Sequence, residues 1–239
     1  MNAPTPIWQS IAHSLKGEIA AGQYRPGDKL PSESDLARRF GVNRHTVRRA
    51  LSDLSEKGLV RSRRGSGVFV RDVATEYPLG RRVRFQSNIN ALGHSARRKF
   101  LHLETRCASE EETKALDLSP GDEVHVCEGL SYRDDSPIAA FRSVFPAGPL
   151  PDLPAQLRQT SSVTKALAAC GVSDYMRVST RLSAEAAGHL QALHLNLPEG
   201  APLLRSVSVN VDMSGKPVEY GTTWFAGDRV VLTVSPDQD

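Results

Sequence analysis

Arg44, His45, Arg48 and Arg49 bring four hydrogen-bonding, cationic or titratable side chains into a span of six residues. At helical spacing Arg44 and Arg48 lie one turn apart, as do His45 and Arg49, so all four line the exposed side of a helix's first two turns. An arginine fork donates two hydrogen bonds to guanine O6 and N7, and a recognition helix enters the major groove N-terminus first. The chemistry this arrangement suits is the reading of base edges in double-stranded DNA. Further along, Arg63-Arg64-Gly65-Ser66-Gly67 sits between two short β-rich runs in Leu59 to Val70. Its glycines permit positive φ and close approach of backbone to a partner, and its arginines supply charge. It reads as a basic wing.

These residues need a scaffold. Ile7, Ile11, Leu15 and Ile19 recur every four residues and predict an amphipathic helix ending near Gly22. Residues 23 to 31 carry a Pro-Gly pair and a second proline, a turn-rich connection. Ser32 caps a second helix, with Asp35 at its third position and Leu36, Ala37 and Phe40 on its buried side. Gly41 closes it, and Asn43 caps a third helix whose buried stripe is Val47, Ala50, Leu51 and Leu54, with Gly58 as its stop. Two capped helices joined by about three residues make a helix-turn-helix.

Charge is divided unevenly along the 239 residues. Residues 1 to 72 hold 13 of the 30 Lys/Arg but only 7 of the 27 Asp/Glu, a balance of +6, against −3 for the remainder. One end is suited to a polyanion and the other is not. The organisation expected is a DNA-binding domain over 1–72, a linker over 73–80 containing one proline, and a second domain over 81–239. No apolar run is long enough for a membrane span and no signal peptide is recognisable, so a cytoplasmic protein is expected. Cys107, Cys127 and Cys170 are odd in number and far apart, and they read as free thiols filling small apolar sites.

The second domain reads as α+β. Ser109 caps a short acidic helix (EEETKAL), and strands over Val124 to Tyr132 and Pro137 to Phe145 flank Asp134-Asp135. A helix over Ser161 to Ala169, a strand near Arg177 to Ser183 and a helix from Ala184 to Leu193 follow, and then a hairpin through Leu203 to Val211 and Val218 to Phe225. Leu116 to Val124 aligns with Leu195 to Leu203 at an offset of 79, which predicts two similar helix-turn-hairpin units on one antiparallel sheet.

The runs Leu30-Pro31-Ser32-Glu33, Val42 to Leu51, Gly58-Leu59-Val60 and Gly65 to Val70 resemble the GntR family of bacterial regulators. The resemblance implies that Arg44 and Arg48 read bases, that Asn43, His45 and Thr46 hold phosphates, and that Gly65 enters the minor groove beside Arg64. Ser32, Arg49 and Gly67 complete the candidate DNA-contacting set, together with Ser34, which stands where some members carry a DNA-contacting arginine. Arg84-Phe85, Asn88, Gly93, Asp134 to Pro137, Ala201 to Arg205 and Pro217 to Tyr220 resemble the effector-binding domain of the HutC branch, whose fold is like that of chorismate lyase. Tyr77-Pro78-Leu79, Val42 to Arg49 and Thr180 to Ala184 are similar to regulators of phosphonate-utilisation operons.

What this implies is a homodimer on a palindromic operator, a repressor controlled by a small anionic effector (phosphate, phosphonate or carboxylate), with no cofactor, metal or membrane partner. The branch's phosphate-gripping Arg-x-Arg pair falls here on Gly129 and Ser131, which argues against a sugar phosphate. Ser87, Asn88 and Glu219 still match pocket positions, and Arg133, Arg142, Arg177 and Arg181 are candidates to replace the charge. Two other functions compete. A lyase-like fold could carry an enzyme, but no nucleophile elbow, metal-binding His pair or phosphate loop occurs. An architectural DNA binder gains nothing from a mildly acidic second domain.

Overall fold

Three helices, with ends set by capping side chains, build the first of two units. A computed structural model of the chain describes residues 6–24, 26–63, 65–71, 74–82 and 84–234, and its contacts divide it into units Met1–Val73 and Ala74–Asp239. Helix α1 (Ile7–Ala20) buries Ile11, Ala12 and Leu15. Helix α2 (Glu33–Phe40) starts where the Ser32 hydroxyl accepts the Asp35 N–H at 3.2 Å and ends at Gly41, φ 65°. Helix α3 (Arg44–Glu56) starts where Asn43 Oδ1 accepts both the N–H and the hydroxyl of Thr46, each at 2.9 Å. Val47, Ala50, Leu51 and Leu54 close the core against Leu15, Leu30 and Leu36. Strands β1 (Val60–Arg63) and β2 (Gly67–Val70) pair antiparallel as the wing. The turn-rich connection also contributes a strand-like edge: Leu30 N–H donates to Val68 O and Val70 N–H to Asp28 O, both at 2.8 Å.

The second unit begins with β3 (Thr75–Pro78), which pairs in parallel with the final strand β10 (Val230–Thr233). Residues 74 to 80 are therefore bound into this unit and do not form the free linker expected from their weak periodicity. Between β3 and β10 lie α4 (Phe85–Ala91), β4 (Ala96–Cys107), α5 (Glu110–Leu116), β5 (Glu123–Arg133), β6 (Ser136–Pro146), α6 (Leu153–Thr160), α7 (Val163–Ala169), β7 (Tyr175–Ala186), α8 (His189–Leu195), β8 (Pro202–Asp212) and β9 (Pro217–Ala226). One antiparallel sheet runs in the order β4-β5-β6-β9-β8-β7.

That order is a palindrome of two repeats. Elements β4, α5 and β5 recur as β7, α8 and β8 at an offset of 79, and the helices end in the left-handed region at Asp117 and Asn196, also 79 apart. The bulge after Ser131 in β5 recurs after Asn210 in β8. The faint sequence repeat is thus a structural one, and β6 pairs with β9 along the seam through the facing residues Arg142 and Thr222.

Three sequence expectations change. Ala184 to Ala186 extend β7, and the helix expected from Ala184 starts only at His189 because its first turn is set by Gly188. Cys127 is buried, with its thiol pushed up to about 12 by desolvation, but Cys107 is exposed on an edge strand and fills no apolar site. Arg142, a candidate effector ligand, is committed to structure: it donates to Glu112 Oε1 at 3.0 Å and pairs with Glu128 at 3.3 Å.

Glu112 also receives a two-pronged contact from Arg106 at 2.8 Å and caps its own helix through the Ser109 N–H. Hydrogen bonds from Arg106 hold its carboxyl down at about 2. Because the folded value lies below the unfolded one, this stabilisation is present above the ordinary carboxylate range and is lost as pH falls toward 2. Glu112→Gln should cost roughly 1.5–3 kcal/mol at neutral pH and flatten the acid limb of the stability curve. Urea titrations between neutral pH and pH 3 check this, and a variant curve parallel to the parent's would contradict it.

Candidate functional site

Two sites are built from these elements, one in each unit. In the first, the cap at Asn43 leaves the N-terminal turns of α3 facing solvent, with Asn43, Arg44, His45, Arg48 and Arg49 exposed and Thr46 half-buried. Arg48 is held: its Nε and Nη2 reach Glu33 at 3.1 and 2.7 Å, and this contact keeps the Glu33 carboxyl below its ordinary range. Glu33 belongs to α2, so the first helix of the pair orients an arginine on the second. Arg44 has no ion pair among the described residues. Arg49 lies 4.7 Å over the Trp8 ring on α1, which commits it to intra-unit packing. Ser32 is occupied as a cap and Ser34 is half-buried on α2.

At the wing, Gly65 and Gly67 are exposed at φ 73° and 113°, conformations that a side chain would strain. A Cβ on Gly67 would stand 2.8 Å from Lys29 Cε. Lys29 is thus an exposed cation laid against the wing, which the sequence reading passed over as part of a turn. Arg64 lies outside the described residues.

The second site is a partly open pocket on one face of the six-stranded sheet, over the seam. Both repeats line it: Arg98 and Ser131 from the first, and their 79-offset counterparts Arg177 and Asn210 from the second. Ser143 and Glu219 contribute from the seam strands, and Tyr77, Gln86, Ser162 and Thr164 come from the elements above. Glu219 is buried, with its two carboxylate oxygens accepting from the Ser143 hydroxyl and Asn210 Nδ2, each at 2.6 Å. Burial pushes the Tyr77 and Tyr175 hydroxyls up, so both are neutral at pH 7.

Of the effector residues expected from sequence, Ser131, Arg177 and Glu219 line this pocket. The other five do not. Ser87 is exposed, and Asn88 donates to Pro78 O at 3.4 Å beside Tyr77. Arg133 is buried and donates to the Thr75 hydroxyl, tying β5 to β3. Arg142 serves Glu112, and Arg181 is exposed in a separate groove near Tyr220 and Glu111. Arg98 was missed, yet the repeat marks it as the counterpart of Arg177.

The bacterial regulatory proteins, gntR family, model matches residues 8–70, and the UTRA domain model matches residues 91–231. The chain belongs to the GntR family. As a GntR protein with a UTRA domain it is a DNA-binding transcriptional regulator with an effector-binding domain. It is 38% identical to an HTH-type transcriptional regulator of Rhizobium meliloti over 95% of this chain and 94% of that protein. Identity to the probable transcriptional regulator PhnF of Escherichia coli is 32%, over 95% and 94%. The crystal structure of PhnF from Mycobacterium smegmatis shares the fold, with a TM-score of 0.66 at 24% identity over 96% of this chain and 100% of that one. No described helix is long and apolar enough to cross a membrane.

The contacts on α3 assign separable costs. Asn43→Ala should destabilise the first unit by about 1 kcal/mol through loss of the cap. Arg49→Ala should cost about 0.5–1 kcal/mol through loss of the Trp8 contact. Urea unfolding of the two variants checks both, and an unchanged midpoint for either would remove its assigned role.

Proposed function

We propose that this GntR regulator is a cytoplasmic, homodimeric repressor that reads a near-palindromic operator and is controlled by a small anion in the seam pocket. Arg44 and Arg48 are assigned to guanine edges, and Asn43, His45 and Thr46 to phosphates. Gly65, Gly67, Lys29 and Arg64 are assigned to the minor groove and its flanking phosphates. The observation that carries this reading is the exposed Arg44–Arg48 pair on a capped helix N-terminus beside a glycine-tipped wing. A recognition helix with donors one turn apart reaches adjacent base pairs, while backbone contacts set its register.

Several features support the remaining parts. Val178 and Leu182 on edge strand β7 and Leu190 and Leu193 on α8 are each more than half exposed, an apolar set suited to a second copy of the chain. Arg98 and Arg177 favour an anionic ligand. Similarity to PhnF favours phosphonate-utilisation genes as the target, and the names of other relatives, among them the repressor MngR of Escherichia coli at 27% identity, favour repression. An effector lowers operator affinity only by binding one dimer arrangement better than the other. The enzyme alternative has no support among the relatives, which are named as transcriptional regulators and repressors.

Selection from a random DNA pool should yield an inverted repeat with half-sites about 10 bp apart. Arg44→Ala should then cost about 1–3 kcal/mol on that sequence and relax one base pair per half-site. Equal losses on selected and random DNA would contradict base reading by Arg44.

A further inference from the structure

The pocket carries both signs of fixed charge, and their commitments differ. Arg98 and Arg177 are counterparts in the two repeats, yet Arg177 already belongs to a network: its Nε donates to Asn210 Oδ1 at 3.5 Å, and Asn210 donates in turn to Glu219. Arg98 lies over the rings of Phe141 and Phe85, with its guanidinium carbon 4.5 and 5.2 Å from their centroids. Its buried Nε meets no acceptor, and no described carboxylate pairs with it. The acid breaks the symmetry. Counting from the facing pair Arg142 and Thr222, Glu219 stands where the first repeat has Ala139.

A half-buried guanidinium whose buried Nε has no acceptor is best matched by an anion. Glu219 accepts one hydrogen bond at each oxygen and keeps a further lone pair on each, so it can take a cationic donor as well. A second negative charge brought to Glu219 would instead be repelled in a low-dielectric site. Arg98 and Glu219 line the same pocket, so one ligand can meet both.

Resting on the reading of this pocket as the effector site, we infer that it takes a small zwitterion. A carboxylate, phosphate or phosphonate head sits on Arg98, and an ammonium at the other end sits on Glu219.

Calorimetric titration of the full chain with matched short-chain probes tests this. Each head is paired with an ammonium or a methyl terminus, and two heads also with a second acid: β-alanine, butanoate and succinate; aminoethylphosphonate, propylphosphonate and phosphonopropanoate; aminoethyl phosphate and propyl phosphate. In at least one series the ammonium member should bind about tenfold or more tightly than its methyl partner, and the diacid, where present, more weakly than either. Glu219→Gln should erase that preference, while Arg98→Ala should abolish binding of every member. If in no series the ammonium member binds more tightly than its methyl-terminated and diacid partners, the zwitterion is overturned while an anion site is left standing. Absence of binding by every probe would overturn the anionic effector as well. The comparison among probes on the parent chain needs no variant, so a folding defect in Glu219→Gln does not affect it.

Discussion

The pairing of β6 with β9 is the contact on which the sensing unit depends. It joins two three-stranded halves into one sheet, and its strands carry Ser143 and Glu219 into the floor of the pocket. A buried carboxylate is tolerable only where donors compensate its lost hydration. Glu219 obtains one donor from each side of the seam, Ser143 on β6 and Asn210 on β8. The same contacts that satisfy the charge hold the halves in register, so a ligand that competes for Glu219 acts directly on the joint between the repeats.

The DNA-reading unit depends on a different economy of side chains. Asn43 uses its carbonyl oxygen on Thr46, which fixes the first turn of α3 and leaves the amide nitrogen as a donor. Glu33 holds the Arg48 fork with the two-pronged geometry that guanine would also satisfy. On the proposed reading, guanine at Arg48 would replace one bidentate acceptor by another, whereas Arg44 has no described carboxylate to give up. Arg48 is thus held in one orientation by Glu33, while Arg44 is exposed without such a contact among the described residues.

The sequence was most legible where a residue acts on its own neighbours. Ser32, Gly41, Asn43 and Ser109 cap or stop helices through contacts within a few residues, and each is found in that role. The offset of 79 was visible because turn residues recur, and it extends over strands whose sequences show no likeness. Long-range commitments were invisible. Nothing local distinguishes Arg142, drawn off by Glu112, from Arg177, which faces the pocket, and Arg133 is buried by a strand read as linker. Strand β4 escaped notice because an edge strand with charged residues along RRKFLHLETR lacks clean alternation. Its pocket-facing Arg98 was hidden with it.

Methylation interference on the DNA selected by the full chain tests base reading in the major groove most directly, because N7 of guanine is both the methylated atom and an arginine acceptor. The account predicts that methylation of one or two guanines in each half-site blocks binding, and that replacing Arg44 or Arg48 relieves the block at its own guanine. Interference confined to adenine N3 in the minor groove, with every guanine N7 tolerant of methylation, would contradict it.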